Sequence, residues 1–200
     1  MTAELVPASE TAAANICASP ELTLRAALPA DRSFLREVFA STRREEFTRA
    51  GLGAEQVEAL LRDQFQLQHQ HYHEHYRQAH FEVVESGGTP VGRLYHAWRP
   101  PQLGDEVRVI DIALLPAWRG RGIGTRLLHA LLASAAAEGL PVSLNVEANN
   151  PVQRLYQRLG FVKIGSSGIY DTMRRAAARF DLPATPLDQL RREPLVVPAA

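Results

Sequence analysis

Leu114-Leu-Pro-Ala-Trp-Arg119-Gly120-Arg121-Gly122-Ile123-Gly124-Thr125-Arg-Leu-Leu128 is the stretch on which the reading of the fold turns. Before it, residues 105–115 run Asp-Glu-Val-Arg-Val-Ile-Asp-Ile-Ala-Leu-Leu, the strongest strand signal in the chain. After it, Ile123, Leu127, Leu128, Leu131, Leu132 and Ala135 recur at helical spacing. The strand ends at Pro116, and the chain turns through three glycines into the helix. Glycine lets the backbone turn tightly and approach a ligand closely. The first N–H groups of the helix have no partners and carry the positive end of its dipole, so the turn suits an anion such as a pyrophosphate. Arg119 and Arg121 add fixed charge for phosphates. A turn that merely connects strand to helix is the bland alternative. Two arginines interleaved with three glycines weigh against it. Other nucleotide fingerprints fail: there is no Gly-Lys-Ser/Thr, and no Gly-x-Gly-x-x-Gly follows the first strand.

Working outward, residues 22–25 read as a short strand. Residues 29–41 carry Phe34, Leu35, Val38 and Phe39 at helical spacing, and a longer helix is predicted from about Gly53 to Arg77. Two strands, 80–85 and 90–98, flank Gly87-Gly88-Thr89 as a hairpin. Beyond the glycine-rich turn come a strand at 142–146, a short helix at 151–159 and closing strands at 161–164 and 169–173. This order is too irregular for a doubly wound sheet. It predicts an α/β chain of the α+β kind: one mixed, mostly antiparallel central sheet of about six to seven strands, flanked by helices.

With those elements in place, two motifs resemble those of the GNAT superfamily of acetyl-CoA-dependent N-acetyltransferases. Arg119-x-x-Gly122-x-Gly124 is similar to its Gln/Arg-x-x-Gly-x-Gly/Ala motif. Asn149-Asn150-Pro151-Val-Gln-Arg-Leu155-Tyr156-Gln-Arg-Leu159-Gly160-Phe161 is similar to its second motif, an Asn at a helix start followed by Tyr and then Gly-Phe. The resemblance covers about residues 21–175. It implies that Arg119, Gly120, Arg121, Gly122, Ile123, Gly124 and Thr125 hold the coenzyme A pyrophosphate. It implies that the central strand splays from its neighbour at a bulge, near Ile112, Ala113 and Leu114, where a backbone amide meets the acetyl carbonyl. It also implies that Asn149 or Asn150 contacts the pantetheine arm. Asn149 has the more usual spacing to the Tyr; Asn150 has the Asn-Pro pairing of a helix cap.

Amine acetylation needs a neutral amine, a polarised thioester carbonyl and a proton for the leaving thiolate. Tyr156 is the candidate acid. From an unperturbed tyrosine to an unperturbed thiolate the proton moves uphill by only about 2 kcal/mol. Core packing on a short helix is the competing reading of Tyr156. For the base, Asp111 on the central strand and Glu147 after the next strand are candidates, direct or through water. Asp111 could equally pair across strands with an arginine.

The long helix is rich in histidine. His69 and His73, and His71 and His75, lie four apart, but no His-Glu-x-x-His or nearby Cys completes a metal site, and no metal is expected. A solvated helix face is the plain reading. Gln64, Gln68, His71 and His75 nevertheless form a stripe beside Phe65, Tyr72 and Tyr76. Gln68, His71 and Tyr72 are therefore expected to line the acceptor pocket.

Composition narrows the class. There are 22 Lys plus Arg against 22 Asp plus Glu, so the basic footprint of a nucleic-acid binder is missing. The one cysteine, Cys17, excludes an intramolecular disulfide. No apolar run spans a membrane, and residues 1–20 lack the charge and apolar block of a signal peptide, so a cytoplasmic protein is expected. Residues 1–20 read as a flexible leader, 21–175 as the acetyltransferase domain and 176–200 as an irregular Pro-rich tail. Leu195, Val196 and Val197 would give that tail a surface for a partner subunit, such as a homodimer. A small-molecule amine is the leading acceptor. A protein lysine or N-terminus, and a non-catalytic coenzyme A-binding module, are the competing readings.

Overall fold

The computed structural model describes residues 21–177 and 185–192. In chain order they form β1 (Leu22–Ala26), α1 (Arg32–Arg49), α2 (Ala54–His75), β2 (His80–Ser86), β3 (Thr89–Trp98), β4 (Val107–Leu114), α3 (Ile123–Ala137), β5 (Val142–Glu147), α4 (Gln153–Arg158), β6 (Val162–Ser167), β7 (Tyr170–Arg175) and α5 (Leu187–Leu190). The strands make one seven-stranded sheet in the order β1-β2-β3-β4-β5-β7-β6. Every neighbouring pair is antiparallel except β4–β5. A parallel pair needs a crossover, and α3 supplies it. Gly87 and Gly88 close the β2–β3 hairpin with φ of 58° and 79°. A two-residue turn with both φ positive matches strand twist, which is why two glycines stand there.

Each face of the sheet carries its own core. On one side the α3 stripe Ile123, Leu127, Leu128, Leu131, Leu132 and Ala135 packs on Val107, Val109, Val142, Leu144 and Met173, with Tyr156 and Phe161 at the α4 end. On the other, α1 and α2 bring Leu35, Phe39, Val57, Leu61 and Phe65 onto Val83 and Tyr95.

Two expectations need correction. Helix α1 runs to Arg49, eight residues past the expected end at Ser41. The added turns have little apolar pattern to betray them. Helix-forming Arg and Glu residues build them, with ion pairs Arg43–Glu46, Arg49–Glu45 and, to α2, Arg44–Glu58. In the Pro-rich tail, the sequence from Asp181 onward predicts irregular chain. Instead α5 buries Leu187 and Leu190 in the α3-side core. Ser134 accepts from the Leu187 N–H at 2.9 Å, Arg191 bridges to Leu24 of β1, and its guanidinium meets Glu82 at 2.6 Å. The leader, Cys17 and Leu195–Val197 lie outside the described residues.

Candidate active site

The site begins where two strands part. β4 and β5 are paired only through Val107–Val109 and Val142–Leu144. Beyond, β4 runs on to Leu114 and β5 to Glu147 with no ladder between them. On the β3 side the register slips: Tyr95 pairs with Asp111 and His96 with Val109, leaving Ile110 as the extra residue. The bulge therefore sits at Ile110, two residues before the expected Ile112–Leu114. Its effect is visible in the packing. Val109 and Ile112, three apart, both face the α3-side core, while Ile110 joins the opposite core and Asp111 reaches α2. A bulge re-aims side chains in this way while it twists the strand.

Gly92 on β3 makes the approach of the strand end feasible. A Cβ there would lie 2.3 Å from the Ala113 carbonyl oxygen and 2.6 Å from Leu114 Cδ2. Sequence reasoning passed over Gly92; a glycine inside a strand was the available signal.

The split opens into a cleft of about 1170 Å³ that gathers most of the residues singled out from sequence. Ile112, Ala113 and Leu114 line it from β4, Gly120, Gly122, Ile123, Gly124 and Thr125 from the turn, Tyr156 from α4, and Gln68, His71 and Tyr72 from α2. Asp111, Arg119 and Asn150 also border it; Arg121 and the exposed Asn149 do not.

At the glycine end, Gly120 and Gly122 have φ of 71° and 77°, the left-handed region. Gly122 caps α3, and the first intrahelical bond runs from the Arg126 N–H to the Gly122 carbonyl at 3.0 Å. The N–H groups of Ile123, Gly124 and Thr125 precede it and have no helical partner. Gly124 is different: its φ is ordinary, and a Cβ there would meet nothing within 4 Å. Open space over unpaired amides is what a pyrophosphate requires.

The two arginines of the turn are placed differently from one another. Arg119 donates to the Leu114 carbonyl at 2.8 Å and to Ser41 Oγ at 2.9 Å, so it ties the turn to α1. Arg121 lies over the Trp118 ring at 5.0 Å, away from the cleft. Arg119 thus spends Nε and Nη2 on protein acceptors, while Arg121 stacks on an indole.

At the other end, Tyr156 is 6% exposed, with its ring edge-on to Phe161. Its hydroxyl makes no hydrogen bond among the described residues. Burial, reinforced by the charge of Asp111, pushes it up to about 12. Against an unperturbed thiol the transfer then costs about 5 kcal/mol rather than about 2, until a buried sulfur is raised in turn. Asn150 Oδ1 accepts from the Val152 N–H at 3.0 Å, an Asx turn that starts α4.

Asp111 is held in a cross-strand ion pair. Arg93 Nη2 donates to its Oδ2 at 2.6 Å, and the Tyr72 hydroxyl approaches the same oxygen at 3.4 Å. Arg93 also donates to Gln68 Oε1 at 2.9 Å. Burial opposes the charge on Arg93, but Asp111, Tyr95 and Tyr72 together outweigh it, so its pKa is raised. Burial and then Asp111 push the Tyr72 hydroxyl well above the tyrosine range.

Glu147, the other candidate base, meets Arg43 of α1 at 2.6 Å. Burial works against the Arg43 charge, but Glu147, helped by Glu46 and Tyr170, outweighs it and holds the guanidinium above its ordinary value. This pair spans the cleft from α1 to β5. Sequence reasoning missed Arg43, Arg93 and the cleft-lining Tyr170, because ordinary arginines and tyrosines carry no spacing signal. The histidines of α2 turn on one another: His71 and His75 have ring centroids 4.0 Å apart, and His75 Nδ1 lies 2.9 Å from the His71 carbonyl oxygen. No group of three metal-ligating side chains converges among the described residues.

Among the described residues the sheet thus parts between its one parallel pair of strands, with a glycine-capped helix at the parting. The sequence model of the Acetyltransferase (GNAT) family matches residues 40–161, and the chain belongs to that family. That family is one of acetyltransferases that use acetyl-CoA. The N-alpha-acetyltransferase RimI of Mycobacterium tuberculosis is 40% identical over 89 residues, which are 43% of this chain and 54% of RimI. The match thus spans about half of that relative's length. PaiA N-acetyltransferase from Thermoplasma acidophilum, solved with coenzyme A, shares the fold at 19% identity and a TM-score of 0.58, over 78% of this chain and 98% of its own. Ard1 from Thermoplasma volcanium shares it at 19% identity and a TM-score of 0.54, over 80% and 99%. No helix among the described residues is long and apolar enough to cross a membrane.

Proposed function

We propose that this chain transfers the acetyl group of acetyl-CoA to a primary amine by direct attack in a ternary complex, and that the acceptor is a small molecule. One observation carries the reading. A single cleft joins the amide-lined glycine turn to an end walled by α2 and bridged by Arg43–Glu147. Phosphates at the turn and a thioester between the split strands would meet an amine arriving from α2.

Each residue then has a task. Amides of Ile123, Gly124 and Thr125 bind the pyrophosphate. Backbone amides on the β5 side of the run from Ile112 to Leu114, which has no ladder there, polarise the carbonyl, as preorganised donors do for developing oxyanions. The amine nitrogen attacks the carbonyl carbon, the carbon–sulfur bond breaks, and Tyr156 protonates the thiolate. The proton lost by nitrogen goes to Asp111 Oδ1, directly or through water, because Oδ2 is occupied by Arg93. Asn150 faces the pantetheine arm, and the reading needs no metal.

The test is thiol release from acetyl-CoA with a panel of small amines, with the acetylated product identified by mass. Release no faster than hydrolysis across the panel would sink the small-molecule reading. If a peptide N-terminus were labelled instead, the resemblance to an N-alpha-acetyltransferase would carry the acceptor.

A further inference from the structure

Arg93 is an odd group to find at the base of an acceptor site. Its side chain is 3% exposed, and among the described residues Asp111 is the one acid that pairs with it and its buried Nε has no partner. A buried ion pair with an orphaned donor is poor design for stability. Its geometry has a stricter consequence. Arginine can only donate. Gln68 must therefore turn its Oε1 toward Arg93, where it lies at 2.9 Å, and its NH₂ away. Asp111 likewise commits Oδ2 to Arg93 and Tyr72, which leaves Oδ1. Both side chains line the cleft, and both are fixed by the same nitrogen. One guanidinium thus presents an acceptor, Asp111 Oδ1, beside a donor pair, Gln68 Nε2; neither makes another hydrogen bond among the described residues.

Resting on the acetyl-transfer reading above, we infer that Arg93 is a positioning residue that sets Asp111 and Gln68 as a matched pair, so that the preferred acceptor is an amine with a carbonyl on its adjacent carbon. The amine N–H meets Oδ1 and the neighbouring carbonyl accepts from the Gln68 amide. Small amino-acid derivatives and peptide N-termini share this chemistry; simple alkylamines and lysine side chains lack it. A site built to hydrogen-bond a polar group discriminates strongly against analogues without it, because its own donor is left unpaired.

The experiment compares acetyl transfer to alaninamide, to trialanine, and to 3-methyl-2-butylamine, which has the heavy-atom skeleton of alaninamide without the carbonyl. Rates are expressed as kcat/KM per neutral amine, since α-amines and alkylamines differ by about two pKa units or more. The wild type should favour alaninamide over the alkylamine by about ten- to a hundredfold. Gln68→Leu should collapse that ratio toward one. Arg93→Met should collapse it too, and Arg93→Lys should restore part of it, because an ammonium can donate to both oxygens. Should Arg93→Met fail to fold, Gln68→Leu, at a half-buried position, still decides. A wild-type ratio near one, or a ratio preserved in Gln68→Leu, overturns the inference while leaving acetyl transfer intact. No transfer to any of the three amines overturns both. Trialanine faster than alaninamide supports the carbonyl reading and assigns it to a peptide terminus; the reverse assigns it to a small amino-acid derivative.

Discussion

The two ends of the cleft are built from different materials. The glycine end is backbone: unpaired amides at the start of α3, two residues at positive φ, and open space above Gly124. The acceptor end is side chains: Arg93, Asp111, Gln68 and Tyr72 in one network, Arg43 and Glu147 in another. A backbone site restricts which residues may stand in it. A side-chain site restricts only that charges balance, so its composition can drift. The difference suggests a shared cofactor and a private acceptor.

Four substitutions would break or sharpen this division. The largest effect is expected from Tyr156→Phe, which removes a hydroxyl and little packing. If Tyr156 is the acid, kcat should fall by about 10²–10⁴, with coenzyme A affinity unchanged in calorimetry. An unchanged kcat, with acetyl transfer rate-limiting, would return the proton to water. Next comes Gly124→Val. Its ordinary φ and empty surroundings mean that the fold should survive while the side chain fills the phosphate space. The melting-temperature rise given by acetyl-CoA should vanish. Gly122 is no substitute, because at φ 77° a Val would strain the turn itself. A full thermal shift in Gly124→Val would remove the pyrophosphate from the α3 turn.

Gly92→Ala tests the junction of the two ends. Its Cβ would collide with backbone at Ala113, so β4 must shift, at a cost of about 1–3 kcal/mol in chemical denaturation. Carbonyl polarisation should suffer with it; a variant of wild-type stability and rate would show that the strand end is not held by this approach. The smallest effect belongs to Arg43→Met. Its pair with Glu147 is partly exposed, so stability should change by about 1 kcal/mol or less. Acceptor KM should rise a few-fold while coenzyme A affinity holds. A loss of cofactor binding here would mean that the two ends are not separate.

The same contrast explains what could be read in advance. The glycine turn was legible because Gly120 and Gly122 adopt a φ that other residues avoid. The sheet was legible because its strands alternate with turn residues such as Gly87-Gly88. The direction of an arginine was not: Arg119 and Arg121 look alike in sequence, yet one caps a carbonyl and the other covers an indole. The exact place of the bulge escaped because six of the eight residues 107–114 are apolar, so a one-residue slip at Ile110 leaves little mark on the alternation. Arg93 and Asp111 lie 18 positions apart, and no periodicity links them. Helix α5 has four residues, too few for a pattern to declare itself.

The separate cores have a consequence for how the molecule breathes. Helices α1 and α2 pack on β2 and β3 through their own small cluster, apart from the larger core under α3. Across the cleft they are moored by Arg119–Ser41 and Arg43–Glu147, contacts that solvent can compete for. The helical hairpin is therefore expected to open as a unit while α3 and the sheet stay closed, since such units open at free energies below the global one. Amide hydrogen exchange should be faster in α1 and α2 than in α3. An acceptor bound against α2 should slow exchange in that hairpin, whereas a ligand held only at the glycine turn should protect the start of α3.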